Sequence, residues 1–311
     1  MKILFLLFLL PALGQAQVLS NANEALQAMN VPAGAKATAL GGAFSSVADD
    51  SNALYWNPAG MAFQQQTQIQ TSYNAWFMDT FFQDLSAVMP LEWGSIGARL
   101  SYINFGSFDT RNESGILQGS TSPMAWGADI GISKRFENVS FGIAGKYYQE
   151  SYSNYSLNGF GFDAGGLVRF DHFSFALGAR DLGTASGYAV PTNYYGGAAL
   201  SVGSKSSLFN ISTDATMTSQ QAFVLHHGLE YGFHEFLYLR AGYQWEPQQT
   251  STQDQVGFGG GFGVVLGNFK LDYSLVPYGE LGLTHKISVG YEFGDSKKKD
   301  PETETSSSKV N

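Results

Sequence analysis

The chain has 311 residues, with 37 Gly, 24 Phe, 16 Tyr, 5 Trp, no Cys and a formal net charge of −9. Charged residues make up only 14% of it, against about 25% in an average soluble protein, and no apolar run reaches the roughly 20 residues of a membrane-spanning helix. This composition excludes a helical membrane protein, a disulfide scaffold, thiolate chemistry and a basic surface for nucleic acid. It is typical of one long all-β domain.

The N-terminus has the pattern of a secretory signal peptide. Lys2 precedes the apolar run 3–13, and Gly14-Gln15-Ala16 forms a small-x-small cleavage site. The apolar run is too short to span a membrane, and no Cys follows the site for lipid attachment. We therefore predict that residues 1–16 are a signal peptide and that the mature chain is exported.

Residues 17–64, which we call the hatch, differ in composition from the rest of the chain. They contain a predicted helical turn at 24–29 and the segment 33–44, which is rich in Ala and Gly. Asp49-Asp50-Ser51 can cap a second helical turn over 52–56. Asn57-Pro58 is expected to end that turn, because the residue before a proline is pushed out of the α region.

From residue 65 to residue 293, apolar side chains alternate with small or polar ones. In segment 155–170, Phe160 and Phe162 lie on one face, and Gly161 and Asp163 lie on the other. The same pattern repeats in residues 138–152, 172–183 and 282–293. A soluble sandwich would place charges on its outer face, whereas here the apolar face has almost none. This inside-out pattern indicates a barrel in lipid.

The alternating segments predict about fourteen strands, an even number as expected of a bacterial single-chain barrel. The connections after even-numbered strands have one to three residues, and most of the others are longer, which fits short periplasmic turns and long extracellular loops. We therefore predict an all-β transmembrane antiparallel β-barrel over residues 65–293, with a hatch in its lumen and a disordered periplasmic tail over 294–311. The predicted strands are 66–77, 81–92, 93–106, 123–136, 138–152, 155–170, 172–183, 192–203, 207–217, 222–232, 235–246, 254–267, 268–277 and 282–293.

Aromatic residues cluster near the predicted strand ends, where amphipathic rings suit the membrane interface. The alternative explanation, ordinary β-propensity, would scatter them along the strands. We predict interfacial girdles that contain Tyr73, Trp76, Phe77, Phe81, Phe82, Tyr194, Tyr195, Tyr243 and Trp245.

The predicted inward faces collect charges of both signs, and buried charges must pair or meet water. One interpretation is a salt-bridge network that stiffens the barrel and packs against the hatch. The other is a selective polar pathway, which a ring of one sign would support better. The charges concerned are Arg99, Asp129, Arg135, Lys146, Asp163, Arg169, Arg180, Arg240, Lys270, Asp272, Lys286 and Glu292.

Motifs for chemistry are weak in this chain. The glycines of 257–263 fit no phosphate-loop spacing and are expected to leave lumen space for the hatch. The five histidines lack metal-ligand spacing, and no G-x-S-x-G is present. We expect no enzyme activity and no cofactor or metal.

Two stretches carry a resemblance to known families. Residues 37–44, Asp49-Asp50 and the segment 55–62, with Asn57, Pro58, Ala59 and Gly60 at its centre, resemble the hatch of FadL-type outer-membrane proteins. Residues 271–282 and 284–291 resemble the closing hairpin of the PorV/PorQ family. The resemblance implies a FadL-like barrel of about fourteen strands with a plugged lumen, in the outer membrane of a Gram-negative bacterium of the Bacteroidota.

The PorV/PorQ resemblance implies work in type IX protein secretion or surface attachment, with partners that are secreted proteins bearing C-terminal signal domains or other secretion components. The alternative is FadL-like transport of hydrophobic small molecules, which requires an apolar pocket and a lateral gap or strand kink beside the hatch. A third hypothesis, a barrel lipid hydrolase, requires a Ser–His pair that faces lipid. For Asn57–Gly60 we favour a structural element of the hatch over a ligand site, since Asn57 can bond the backbone locally and Pro58 makes the turn rigid.

Overall fold

The computed structural model describes residues 31–76, 79–152, 155–186, 188–190, 192–204, 206–218, 223–247, 257–277 and 282–294. The predicted signal peptide, the helical turn at 24–29 and the tail beyond Gly294 lie outside these residues. None of the described helices is long and apolar enough to cross a membrane.

The described part of the hatch, residues 31–64, contains three short helical elements. They are helix α1 (Ala35–Ala39), helix α2 (Ala53–Trp56) and a 3-10 helix (Pro58–Phe63). Helix α2 begins after Asn52, whose backbone N–H donates to Asp50 Oδ1 at 2.8 Å. It ends at Asn57, which is extended with φ −160°. The predicted turn over 52–56 and its end at Asn57-Pro58 therefore match the structure.

Seventeen strands follow in the described residues. Their bounds are β1 (Thr67–Ala75), β2 (Phe81–Leu91), β3 (Gly94–Asn104), β4 (Phe108–Arg111), β5 (Leu117–Thr121), β6 (Met124–Phe136), β7 (Val139–Ser151), β8 (Ser156–Arg169), β9 (Phe173–Ala185), β10 (Tyr188–Ala189), β11 (Asn193–Ser204), β12 (Ser207–Thr218), β13 (Phe223–Phe233), β14 (Leu237–Trp245), β15 (Phe258–Leu266), β16 (Phe269–Pro277) and β17 (Leu283–Phe293).

Fourteen of these strands form a closed antiparallel barrel. Strand β1 pairs with β2 on one side and with β17 on the other, so no edge is left open. The hairpin β4–β5 forms a separate two-stranded sheet, and β10 adds two residues beside β9. The predicted fold class and the count of about fourteen strands are confirmed.

Both ends of the barrel chain lie at the end with the short turns. Thr67 pairs with Phe293, and Gln68 pairs with Val88, which lies close to the turn at Glu92-Trp93. The long β3–β6 connection, with the hairpin β4–β5, lies at the other end. By the usual asymmetry of such barrels, the short-turn end is periplasmic and the other end is extracellular.

The barrel is apolar outside and polar inside. Phe160 and Phe162 are 63% and 64% exposed, whereas Asp163, the residue after Phe162, is 1% exposed. Ser, Gly and charged residues fill the inward positions, as the alternation predicts. The walls therefore surround a lumen that the hatch occupies.

Three residues assigned to the aromatic girdles are placed differently by the structure. Trp76 is partly buried and packs against the buried cluster that contains Phe82. Phe82 and Tyr195 occupy inward positions and are 1% and 3% exposed. Tyr73, Tyr194 and Trp245 face outward, as predicted. Period-two alternation puts every second residue inside, so two adjacent aromatic residues cannot both face the membrane. Phe77 lies outside the described residues.

Candidate functional site

The Asn57–Gly60 motif lies at the centre of the hatch and is fully buried. The Asn57 side chain accepts from Ala59 N at 3.1 Å and donates to Ser45 O at 3.0 Å. It also donates to Gly166 O of β8 at 3.3 Å. One amide thus ends α2, starts the 3-10 helix and fixes both to the wall.

The 3-10 helix packs directly on β7. Ser140 Oγ donates to Ala59 O at 2.8 Å. A Cβ added at Gly142 would lie 2.3 Å from the Pro58 carbonyl carbon, so only glycine leaves room for this contact. Gly60 is similarly close to Ala48, at 2.5 Å from a Cβ placed on it. The four motif residues therefore act together as a rigid wedge between the hatch and the wall.

Wall side chains satisfy the hatch backbone elsewhere. Asp214 Oδ2 accepts from Phe44 N at 3.0 Å and from Ser45 N at 2.7 Å. Ser288 Oγ accepts from Ala35 N at 2.8 Å, and the Lys286 ammonium donates to Pro32 O. Backbone groups of a non-regular segment need partners when buried, and the polar lumen wall provides them.

The charges predicted to face the lumen separate into three buried clusters. Arg99 Nη1 lies 2.9 Å from Asp129. Lys146 Nζ lies 2.6 Å from Asp163 and 2.9 Å from Asp181. Both signs occur in each cluster, which fits a structural network that holds the wall together. A single-sign ring is not formed by these residues.

The third cluster joins the wall to the hatch. Arg240 lies 2.6 Å from both Glu230 and Asp272, and Glu230 lies 3.9 Å from Lys36 of the hatch. Lys36 in turn pairs with Asp49 at 2.7 Å. Ion pairs therefore continue from β16 through the wall into α1.

The hatch charges influence one another strongly. Burial opposes the charge of Lys36, but the Asp49 and Glu230 carboxylates outweigh it and raise the pKa of Lys36 above its ordinary value. Burial favours the neutral form of Asp49, but Lys36 outweighs it and lowers the pKa of Asp49. Burial raises the pKa of Asp50 to about 7, and the negative charge of Asp49 adds to the rise. The Asp50 carboxyl group thus keeps its proton up to a pH well above the usual pKa range of a carboxyl group.

Arg135 and Arg169 lie apart from the three clusters, at the periplasmic mouth. Their guanidinium carbons are 4.6 and 4.5 Å from the centre of the Phe63 ring. Arg169 also donates to Val47 O at 2.5 Å. Arg135 is exposed and Arg169 is half-buried, so the two residues stack on the end of the hatch and are accessible to water. Lys270 and Glu292 form an ion pair at the same end of the barrel, with 2.5 Å between Nζ and Oε1.

Arg180 is buried among aromatic rings. Its guanidinium carbon lies 5.3 Å from the Tyr55 ring, 5.2 Å from the Trp56 ring and 5.4 Å from the Tyr195 ring. Tyr55 and Trp56 belong to the hatch, and Tyr195 belongs to β11. Arg180, one of the charges predicted to face the lumen, is therefore held by cation–π contacts with both the wall and the hatch.

An apolar cluster that was not predicted from the sequence lies in the extracellular half of the lumen. Its buried members come from the hatch, from five strands and from the β10 segment, and Trp76, Phe105 and Leu157 pack against them. We call this set the upper cluster: Val31, Phe82, Ile103, Ala125, Tyr148, Ala185 and Val190. Only the inward position of Phe82, taken from strict alternation, offered a signal for it.

A β-bulge lies directly beside the upper cluster. Phe162 pairs with Leu182 and Ala164 pairs with Ala179, so Asp163 of β8 faces both Arg180 and Asp181 of β9. Asp181 has a left-handed φ of 61°, and its N–H donates to Asp163 Oδ1 at 2.8 Å. At this point of the wall, the Asp163 carboxylate takes the place of a backbone carbonyl as the acceptor for the Asp181 N–H.

The two faces of the wall leave space at the bulge. On the lumen side, the atoms nearest to a Cβ at Gly161 would be Asp181 Cα at 3.7 Å, and Asp181 C and the Tyr148 ring at 3.9 Å, so no atom clashes with it. On the lipid side lies a depression of about 320 Å³, which Ile130, Ile143, Phe162 and Leu182 help to line. The lipid-facing side of the wall is therefore indented and apolar next to the upper cluster.

The described residues contain no group of three or more side chains suited to hold a metal ion. A Ser–His hydrogen bond is likewise not among their side-chain contacts; His226, His227 and His285 bond to Thr216, Thr213 and Tyr273. The hydrolase hypothesis gains no support from these contacts.

The fold resembles solved outer-membrane channels. The TodX deltaS2S3 mutant monoaromatic hydrocarbon channel superposes with a TM-score of 0.59 and 14% identity, over 84% of this chain and 98% of that chain. The CymD monoaromatic hydrocarbon channel superposes with a TM-score of 0.61 and 11% identity, over 84% of this chain and 97% of that chain. No protein-family model and no curated protein matches the chain.

This chain therefore shares the barrel fold of these two channels. At these identities the likeness establishes the architecture of the barrel, and the function has to be argued from the lumen and the wall. The PorV/PorQ assignment stays a prediction.

Proposed function

We propose that this protein is a non-enzymatic outer-membrane conduit, which passes small hydrophobic molecules from the upper cluster sideways through the bulge into the membrane. The observation that carries the proposal is the bulge between Phe162 and Ala164, which lies between the upper cluster and a lipid-facing depression. An apolar lumen site and an irregular wall beside the hatch are the two features that such transport requires.

The upper cluster supplies the first feature. Phe82, Ile103 and Tyr148 place large, mainly apolar side chains in the lumen, where the other inward wall positions are mostly Ser, Gly and charges apart from Val88 and Leu167, which pack against the hatch. Removal of apolar surface from water contributes about 25 cal/mol per Å², so an apolar solute gains free energy at this level and not in the charged layers below. The cluster thus defines where a hydrophobic ligand would bind.

The bulge supplies the second feature. Tyr148 belongs to the upper cluster and also donates to Asp181 Oδ1 at 3.1 Å, so the ligand site and the bulge share a side chain. Opening the wall here requires fewer ladder hydrogen bonds to break than elsewhere, because the bulged residues are already unpaired. A ligand that leaves here enters lipid without meeting the charges around Lys36.

Two substitutions of the same kind test the route. Gly161→Leu places a side chain in the lumen-side gap at the bulge. Gly166→Leu, five residues further along β8, faces lipid, where a Cβ meets only the Phe141 ring and Leu177 O at 3.7–3.9 Å. The second variant carries the same change of residue in the same strand without filling the route.

The assay measures the rate at which 1-N-phenylnaphthylamine enters cells that express each variant and lack other hydrocarbon channels. We expect wild type and Gly166→Leu to accelerate uptake over empty-vector cells, and Gly161→Leu to lose most of the acceleration. Folding is checked by the heat-dependent shift of the barrel on gels, and Gly161→Val provides a smaller obstruction if the Leu variant does not fold. Equal uptake in wild-type and empty-vector cells, or in wild type and a folded Gly161→Leu variant, refutes the proposal.

The second candidate function is a role in type IX protein secretion or surface attachment. Residues 271–277 and 284–291, which carry the PorV/PorQ resemblance, form most of β16 and β17 beside the closure of the barrel. A pull-down in mild detergent from the native organism separates the two functions. Co-purification of secreted proteins that share a C-terminal domain supports secretion, whereas a preparation with lipid-like ligand and no protein partner supports the conduit.

A further inference from the structure

The lipid-facing surface of the described barrel strands carries a single ionised side chain, Lys134 of β6. All other Asp, Glu, Lys and Arg residues of these fourteen strands lie at inward positions or in the bulge. Lys134 alternates with the outward residues Ile132 and Phe136 and is exposed. A charge that stands alone on an apolar wall needs an explanation from its surroundings.

The depth of Lys134 keeps its cost low. It lies two residues before the end of β6, close to the short turn at Glu137. A lysine on the lipid face destabilises a barrel by about 2–4 kcal/mol at the midplane and by about 0–1 kcal/mol near the interface. The ammonium group is therefore at the level of the periplasmic headgroups.

An aromatic and aliphatic depression of about 300 Å³ surrounds Lys134. Trp93, Phe141 and Ile143 line it, and Trp93 is 50% exposed. Lys134 Nζ lies 5.5 Å from the Phe136 ring, and no carboxylate pairs with it among the described residues. The site thus offers an unpaired cation and an indole at the membrane interface, next to an apolar hollow.

This depression continues up the wall. It shares Ile132 and Ile143 with the depression of about 320 Å³ at the bulge. Gly145, which lines the depression at the bulge, faces lipid, and a Cβ there would meet only the Phe162 ring at 3.9 Å. The missing side chain leaves a shallow groove from Lys134 toward the extracellular side, in the direction of an acyl chain of the periplasmic leaflet.

We propose that this groove binds an anionic phospholipid of the periplasmic leaflet. Its phosphate pairs with the Lys134 ammonium beside Trp93, and one acyl chain lies along the groove over Gly145. A phosphate satisfies the cation by a charge-assisted hydrogen bond, and an extended chain fills the hollow that Ile132 and Ile143 border. The site is on the outer wall and its upper end reaches the depression at the bulge, but its occupation requires no transport through the lumen.

Native mass spectrometry of the purified full-length barrel tests the proposal with two dioleoyl lipids, phosphatidylglycerol and phosphatidylcholine. We expect wild type to retain the anionic lipid preferentially. Loss of one Lys near an anionic surface is worth about 1 kcal/mol, so Lys134→Gln is expected to lower that preference about fivefold. Lys134→Arg should retain it, and Arg135→Gln, one residue away on the opposite face, is the matched control.

A fourth variant tests the acyl-chain part of the site. Gly145→Leu fills the groove on an open, lipid-facing position, so we expect folding to be unaffected and retention of both lipids to fall. The proposal is overturned if Lys134→Gln keeps the preference of wild type, if Arg135→Gln loses it equally, or if Gly145→Leu retains both lipids as wild type does. Since the measurement involves no uptake, its failure leaves the conduit untouched, and failure of the uptake assay leaves this site untouched.

Discussion

Replacement of Gly142 by Ala is expected to dislodge the hatch, whereas the same replacement at Gly145 is not. Both glycines lie on β7, three residues apart, and neither has a left-handed φ. Gly142 faces the lumen and Gly145 faces lipid. Because alanine suits the backbone at both positions, the two variants differ only in what the added methyl group meets.

The magnitude follows from the contacts. At Gly142 the methyl carbon would lie 2.3 Å from the Pro58 carbonyl carbon and 2.5 Å from both Pro58 O and Ala59 N. These are backbone atoms of the wedge that Asn57 fixes to the wall, so they cannot rotate away. Overpacking of this kind destabilises a protein by about 1–3 kcal/mol, and we expect at least the upper part of that range. At Gly145 the nearest atom is 3.9 Å away, and the reduced entropy of the unfolded chain favours alanine by about 0.4–1 kcal/mol.

Two measurements follow from this difference. Urea titration of the purified barrels in detergent is expected to give a lower midpoint for Gly142→Ala and an unchanged or higher one for Gly145→Ala. In planar lipid bilayers, Gly142→Ala should conduct ions more often than wild type, since a displaced 3-10 helix opens the periplasmic half of the lumen. If Gly142→Ala is as stable and as tightly closed as Gly145→Ala, the packing of the Pro58 wedge against β7 is not what holds the hatch.

Three further substitutions test the lumen charges. Lys146→Met leaves Asp163 and Asp181 facing each other without a cation, and we expect the free energy of unfolding to fall by about 3–5 kcal/mol in a urea titration. Asp50 has a folded pKa of about 7 against 3.8 for the free group, so the folded state keeps a proton that the unfolded chain releases. Between about pH 4 and about pH 7 its burial therefore destabilises the fold increasingly as pH rises, and urea midpoints across this range should show that loss in wild type but not in Asp50→Asn. Asp214→Ala removes the acceptor of two hatch N–H groups, which should weaken the hatch by about 2–6 kcal/mol and raise bilayer conductance, while Asp214→Asn retains an acceptor oxygen and should conduct less.

The barrel itself was predictable because lipid and lumen act on alternate residues. In β8, Phe160 and Phe162 face lipid and Asp163 faces the lumen, so one segment already reveals both environments. Turn lengths added independent information, since short connections follow every second strand. The same rule predicted inward positions for the charges, although it gave no information about which charge pairs with which.

The upper cluster and the bulge were not predictable from alternation. Phe82 and Tyr195 are apolar or aromatic residues at inward positions, and a composition argument assigns such residues to the membrane interface. The bulge adds one residue to β9. The sequence pattern does not reveal this shift of one residue, because Arg180 and Asp181 are both polar and Gly183 is compatible with a lumen-facing or a lipid-facing position. Such features depend on contacts between distant segments, as when Tyr148 of β7 bonds to Asp181 of β9, and no local pattern records them.

The balance between hatch and wall decides which way a ligand can leave. Withdrawal of the hatch breaks at least its bonds to Asp214, Ser288 and Ser140, each worth about 0.5–1.5 kcal/mol net. It also exposes Phe44 and Leu54, whose burial contributes about 1.5–3 kcal/mol each. The periplasmic route therefore requires several kcal/mol before any solute moves. At the bulge the ladder is already interrupted and the lipid side is apolar, although Asp163 and Asp181 pair with Lys146 on the lumen side. The sideways route is therefore the one that a hydrophobic solute can take with the hatch in place.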